Sequence, residues 1–356
     1  MLFETPATPL RRIAVIGAGI SGMAAAHLLA PDHKVVLFEA AASLGGHAVT
    51  VMAGKRGDQP VDMGFIVFNK INYPRLTALF EQLDVPIAPS NMSFACSIQG
   101  GALEYGLRDL NSLFAQRRNL LNPRYLRMLT DILRFHRSAD SVLTPGMTLR
   151  DLLGVMRMSD AFRDHYIAPF TGAIWSTPSA GMLDFPAEAL IRFFKNHGLM
   201  GVWKHHPWFT VQGGSVEYVR RLQASLSRHG VEIRTSCPIA GVRRLGDGAQ
   251  VRAIAGEWEM FDEVVFATHS DETLRMLADA TQAETAALSA IRYQPNQAIL
   301  HADPSQMPKS RRVWASWNYA EPAGPRPEKI DLTYWMNSLQ PIPKDDPLFV
   351  TLNPTR

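Results

Sequence analysis

The apolar positions fall in short blocks separated by glycine, proline and charge. Ile13-Ala14-Val15-Ile16 is a largely β-branched run that reads as a buried strand. Gly17-Ala18-Gly19-Ile20-Ser21-Gly22 interrupts it, and Ile20 to Ala30 continues with small apolar residues, as suits a helix packed closely on a sheet. Lys34-Val35-Val36-Leu37-Phe38 gives a second buried strand ending at Glu39. Far downstream, Trp208 to Val211 reads as a strand, Gly213-Gly214 open a helix from Ser215 to Leu226, Val231 to Arg234 forms another strand, and Glu263 to Ala267 a buried one.

Ile13 to Ala30 is also eighteen residues without a formal charge behind Arg11-Arg12, which imitates a signal peptide or a membrane span. The glycines place a turn inside that stretch and exclude a continuous helix.

Between the two sets of strands, Asn122-Pro123 is a strong helix start, with Asn as cap and Pro in the first turn, and the helix is expected to reach about Arg137. At 100° per residue, Tyr125, Leu126, Met128, Leu129, Ile132, Leu133 and Phe135 share one side, and Arg124, Arg127, Asp131, Arg134 and Arg137 the other. From Arg117 to Arg137 there are six arginines and one acid. Such a face suits the solvated outside of a core helix, the plainer account, or peripheral contact of helix 123–137 with an anionic membrane.

Composition narrows the class. The 356 residues suffice for about two domains, and 46% hydrophobic with 19% charged residues excludes a disordered chain. A net charge of +3 gives no reason to expect a nucleic-acid partner. Cys96 and Cys237 are too few for a disulfide framework or a four-cysteine zinc site, so a reducing compartment, the cytoplasm, is expected.

The first strand, glycine turn, helix, second strand and acid stand in the order a dinucleotide requires. Gly17 permits the tight turn, Gly19 lets the backbone approach a pyrophosphate, Gly22 allows close packing, and the helix start offers free N–H groups to the anion. Glu39 can accept hydrogen bonds from a ribose diol, and its charge disfavours a 2′-phosphate. NAD and FAD both remain open on this unit alone. Gly45-Gly46-His47, six residues past the acid, leans towards FAD, because a second glycine pair lets the backbone wrap a longer cofactor.

Val15 to Gly22, Gly45-Gly46-His47-Ala48, Val61 to Asn69, Asn72-Tyr73-Pro74, Asn196 to Leu199, Val211 to Ser215 and Ala267 to Asp271 together resemble the flavin-containing amine oxidoreductase superfamily. Within it, His47 and the Asp62 to Asn69 run resemble a bacterial group of predicted NAD/FAD-binding proteins. The superfamily often has Arg at the position of His47, so a contact there is expected to be weaker and pH-dependent. The resemblance implies an α/β fold in which a Rossmann-like FAD-binding domain (1–72 and 205–275) is interleaved with an α+β substrate domain (73–204 and 276–350). It implies FAD contacts at Gly17, Ala18, Gly19, Ile20, Ser21, Gly22, Glu39, Ala40, Gly45, Gly46, His47, Gly64, Phe65, Ile66 and Thr268. Ile239 or Val242 is implied beside the adenine. Related chains continue past the Thr351 to Pro354 stretch into a closing segment, so that segment is expected to be missing here.

Aromatic residues gather outside the nucleotide stretches: Trp175, Trp203, Trp208, Trp314, Trp317, Tyr319, Tyr334 and Trp335. Most suit a core; Trp175, Tyr334 and Trp335 are the candidates for a substrate cavity. Lys204-His205-His206 is rejected as a metal site, since adjacent strand residues face opposite ways and no carboxylate is spaced nearby. No hydrolase elbow or cysteine redox pair occurs, so the chemistry is assigned to the cofactor and no catalytic base is named. Many amine oxidases of the superfamily use a lysine near the flavin; Tyr293 to Asp303, where it is expected, contains none. A small apolar substrate, fatty-acyl or otherwise lipid-like, undergoing dehydrogenation, saturation or isomerisation is therefore expected. The alternatives are amine oxidation and nucleotide binding without catalysis.

Overall fold

A computed structural model describes residues 10–176, 181–200, 206–324 and 330–354. Trp203, Lys204 and His205 lie outside them. The chain's first strand, Arg12–Ile16, sits inside a parallel sheet of four, ordered 232–234, 34–38, 12–16, 263–266. Ile13 to Ile16 and Val35 to Phe38 are all buried, which is what unbroken apolar runs achieve when both sheet faces are covered. The helix Ile20–Leu29 covers this sheet beside the helix Val216–Arg228, which runs two residues further than its apolar pattern implied. Strand Glu263–Phe266, expected to be buried, is at most half-buried, because it forms the edge of the sheet.

Residues 239–245, 248–253 and 258–261 form an antiparallel sheet beside this unit. Arg12 and Arg234 join the two, pairing with Glu259 at 2.9 and 2.5 Å while lying over Phe261 and Phe38.

The larger sheet has six strands in the order 298–301, 349–352, 331–335, 317–320, 94–98, 103–106, with one parallel pair, 317–320 against 94–98. Helices between Pro123 and Asn196 cover one face, and Phe94, Cys96, Tyr105, Tyr319 and Leu332 meet Met128, Phe135, Phe162 and Phe194 in the main core. Burial pushes the Cys96 thiol well above its usual range, as expected of a packed, inert cysteine.

The helix Pro123–Ser138 forms with Asn122 capping the Arg124 and Tyr125 amides, but its two sides differ from the expected division. Tyr125, Met128, Ile132 and Phe135 are buried as expected, whereas Leu126 and Leu133 are exposed. Asp131 is 1% exposed on the side assigned to solvent. It pairs with Arg127 and Arg134 and accepts the Ser159 amide at 3.0 Å, so a second chain segment covers it.

Strand Trp208–Val211 joins neither large sheet; it pairs with Val67–Phe68 and Ile87–Ser90. The stretch 13–30 is a strand, a turn and a helix, and among the described residues no helix is long and apolar enough to cross a membrane.

Candidate functional site

The glycine turn and the second glycine pair meet. Gly17 has φ +98°, and an added Cβ there would lie 2.9 Å from the Ala267 carbonyl and 3.0 Å from Thr268 Cγ2. Thr268 is thereby set against the turn, its hydroxyl 2.8 Å from that of Thr273. Gly22 packs still closer, with its hypothetical Cβ 1.8 Å from the Gly17 oxygen. Across the turn, Gly45 N–H donates to the Ala18 carbonyl at 2.9 Å, and Gly19 bridges Gly45. A Cβ on Gly46 would stand 3.0 Å from the Gly19 Cα, so two backbones pass where side chains have no room.

The helix Ile20–Leu29 begins at Gly19 without a side-chain cap, leaving the first-turn N–H groups around Ile20, Ser21 and Gly22 for an anion. Glu39 accepts the Ala18 amide at 2.7 Å and the Ala41 amide at 2.8 Å, and Ala40 between them is exposed. Cys237 N–H donates to the Glu39 carbonyl and Ser236 N–H to that of Ala41. Those two residues therefore border the acid. Val242 is buried, and its carbonyl is taken by Ala278 N–H; Ile239 is half-buried and paired with Ala253.

His47 is brought to Gly64 and Phe65: its carbonyl accepts the Phe65 amide at 3.2 Å and would lie 2.0 Å from a Gly64 Cβ. Ile66 is buried, and its carbonyl accepts the Thr210 hydroxyl. The sequence assigned no role to Asp62, yet it ties this region together. Its Oδ1 accepts from the Thr50 hydroxyl at 2.6 Å and the Ser215 amide at 2.8 Å, and its Oδ2 from Gln340 Nε2 at 3.0 Å. Burial raises its pKa against those stabilising bonds. Also unforeseen is a ring stack at the glycine pair. His269 lies 4.0 Å from Tyr293 and 5.5 Å from His47, with interplanar angles of 4° and 13°.

The aromatic candidates divide. Trp175 packs on Phe185 and Phe193 at 4.9 and 5.0 Å. Tyr334 meets Trp317 edge-on at 5.2 Å, and burial raises its hydroxyl far above the usual range. Trp317 and Tyr334 touch both the helix-covered core and a second cluster built on Val61, Ile66 and Met336. Trp335 instead meets Trp314 at 5.5 Å on the opposite sheet face, since neighbouring strand residues alternate. Trp317, named only among the aromatics, is thus the better partner of Tyr334. Its indole N–H is buried without an acceptor among the described residues, as are the side-chain amides of Asn69 and Asn72. No group of three or more metal-ligating side chains occurs among the described residues.

A strand, an uncapped glycine turn, a ribose-type acid and a second glycine pair folded against the first define a dinucleotide-binding α/β protein. The chain belongs to the family of flavin-containing amine oxidoreductases, whose pattern matches residues 20–332. The cofactor is accordingly FAD and the protein an FAD-dependent oxidoreductase. The fold is similar to that of cyclohexylamine oxidase from Brevibacterium oxydans IH-35A, with TM-score 0.67, 17% identity and coverage of 97% of this chain and 75% of that one. An oxidoreductase from Methanosarcina mazei gives 0.64 at 16% identity over 96% and 78%. A CLA-producing fatty acid isomerase from P. acnes gives 0.61 at 16% over 96% and 76%. No curated protein sequence matches the chain.

Proposed function

We propose that this FAD-dependent oxidoreductase acts on a hydrophobic, lipid-like substrate of the fatty-acyl class, by dehydrogenation, saturation or isomerisation. The observation that carries this reading is the Trp317–Tyr334 pair, which packs on both the helix-covered core and the cluster of Val61 and Ile66, whose segment leads back to the glycine pair. Flat apolar walls orient a hydrocarbon chain and exclude water, and the Trp317 N–H is a donor for a carboxyl or ester oxygen.

In this reading the residues of the glycine cradle hold FAD. The uncapped first-turn amides at Ile20, Ser21 and Gly22 would receive its pyrophosphate, Glu39 would serve its ribose, and Gly45, Gly46 and His47 would leave room for the rest of the cofactor, with Thr268 packed against the turn. FAD, when bound, supplies the acceptance and return of hydride or single electrons. The protein contributes position, dryness and charge.

The segment Tyr293 to Asp303 contains no lysine, which favours acyl over amine chemistry, whereas the family name and the cyclohexylamine oxidase fold keep amine oxidation as the second reading. Anaerobic incubation of the flavin-loaded protein, with the flavin oxidised or reduced by dithionite, with saturated and unsaturated acyl compounds, and of the oxidised form in parallel with primary amines, separates them. Acyl product by gas chromatography with mass spectrometry, which separates isomers as well as compounds of different mass, supports the proposal. Flavin bleaching by amines, with acyl compounds unchanged, overturns it.

A further inference from the structure

Away from the glycine cradle, the chain between Leu107 and Arg127 carries five arginines and one acid, Asp109, which pairs with Arg108. Arg117, Arg118 and Arg124 make no ion pair among the described residues. Leucines stand exposed among them: Leu121 at 89%, Leu110 at 73% and Leu120 at 49%. Short bonds hold these segments together. Arg117 donates to Asn111 Oδ1 at 2.6 Å, and the Tyr125 hydroxyl to the Leu113 carbonyl at 2.6 Å. Arg118, Leu121, Arg124 and Arg127 border one open recess of about 950 Å³. Its two carboxylates, Asp160 and Asp164, are both paired with Arg163.

Exposed leucines next to uncompensated guanidinium groups fit one kind of partner better than others. A nucleic acid offers little to a leucine, and a protein helix needs a continuous apolar groove rather than separate protruding side chains. A bilayer accepts both at once, leucines into the acyl boundary and arginines at the phosphates. We propose that the Arg117–Leu121 turn and the first turn of the Pro123–Ser138 helix dock on an anionic phospholipid surface. The contact is the exposed rim and the helix start, not the whole basic side of the helix, because Asp131 is buried there between Arg127 and Arg134. This inference rests on the surface alone and stands or falls separately from the substrate reading.

The test is co-sedimentation of the flavin-loaded full chain with vesicles of phosphatidylcholine alone, or with about one-third phosphatidylglycerol. Binding is expected on the anionic vesicles, weakening as salt rises. Arg118→Gln with Arg124→Gln is expected to reduce partition by about 25-fold, at roughly 5-fold per arginine. Leu120→Gln with Leu121→Gln should reduce it by at least about 10-fold. Leu121→Gln alone, at a site nearly free of packing, keeps the test informative if a double variant fails to fold. Ile254→Gln, 70% exposed in the turn after strand 248–253, should change nothing. Absence of binding, equal binding to both vesicle types, or binding unaffected by either double variant overturns the proposal.

Discussion

The Glu39 carboxylate lies 2.7 Å from the Ala18 amide, so the acid that ends the second strand is fastened to the glycine turn that follows the first. Its other oxygen holds the Ala41 amide at 2.8 Å. Glu39→Gln keeps the size but turns an amide N–H towards a backbone N–H and removes charge. Bonds to a charged acceptor contribute about 1.5–3 kcal/mol, so FAD affinity is expected to fall by about 10- to 100-fold with the fold retained. Flavin fluorescence during titration of the apoprotein measures it; unchanged affinity would assign Glu39 to the turn alone.

Gly64 and Gly154 predict opposite signs for the same substitution. A Cβ at Gly64 would lie 2.0 Å from the His47 carbonyl oxygen, against backbone that cannot rotate away. Gly64→Ala should displace the Gly45–His47 turn, costing about 1–3 kcal/mol of stability and at least about 10-fold in FAD affinity. Gly154, in the helix Leu149–Val155, has nothing within 4 Å of its hypothetical Cβ, so Gly154→Ala should stabilise by about 0.5–1 kcal/mol. Thermal melts of the two variants decide both.

Trp317→Phe should separate shape from polarity in the proposed substrate wall. The smaller ring preserves contact with Tyr334 but deletes the buried N–H that has no acceptor among the described residues. If a substrate oxygen takes that donor, KM rises by about 5- to 10-fold while FAD affinity stays constant, a loss of about 1 kcal/mol. If the N–H is merely buried, removing it relieves a cost and the melting temperature rises without a kinetic effect.

Local rules and long-range packing divide what the sequence could show. The cradle was legible because its parts are contiguous: a β-branched run, glycines at fixed spacing and an acid at a strand end occur in every chain that makes this turn. His47 and Gly64 were expected only as FAD contacts implied by resemblance, and their meeting was not foreseen, since no local pattern places a carbonyl against a glycine seventeen positions away. Asp131 was assigned to solvent because helical periodicity records angle and not what covers it; Ser159 and two arginines satisfy it in the fold. Trp335 was grouped with Tyr334 although alternation along one strand separates them. The same rule, applied to the Trp317-Asn318-Tyr319 stretch, makes Trp317 a candidate, but choosing it required the register that sets Trp317 opposite Tyr334.

His301 should make the larger sheet sensitive to acid. Asp303 N–H donates to His301 Nδ1 at 3.2 Å, which requires that nitrogen to be unprotonated, and Nε2 faces the Thr351 hydroxyl at 2.7 Å. The ring also stacks on Phe349 at 5.6 Å. Burial lowers its pKa below the ordinary 6.5, outweighing the attraction of the Asp303 carboxylate. His197 is lowered by burial too. A histidine with a depressed folded pKa binds fewer protons folded than unfolded, so its penalty is absent well above 6.5 and grows as pH falls through 6.5 towards the folded value. Melting temperature should therefore decline from about pH 7.5 to about pH 5, with each unit of depression contributing about 1.4 kcal/mol at the acid end. His301→Gln cannot titrate and retains one donor and one acceptor. It should be less stable than the parent near neutrality, yet lose less stability on acidification, so the two melting curves converge as pH falls. Parallel curves would show that His301 does not sense pH in this fold.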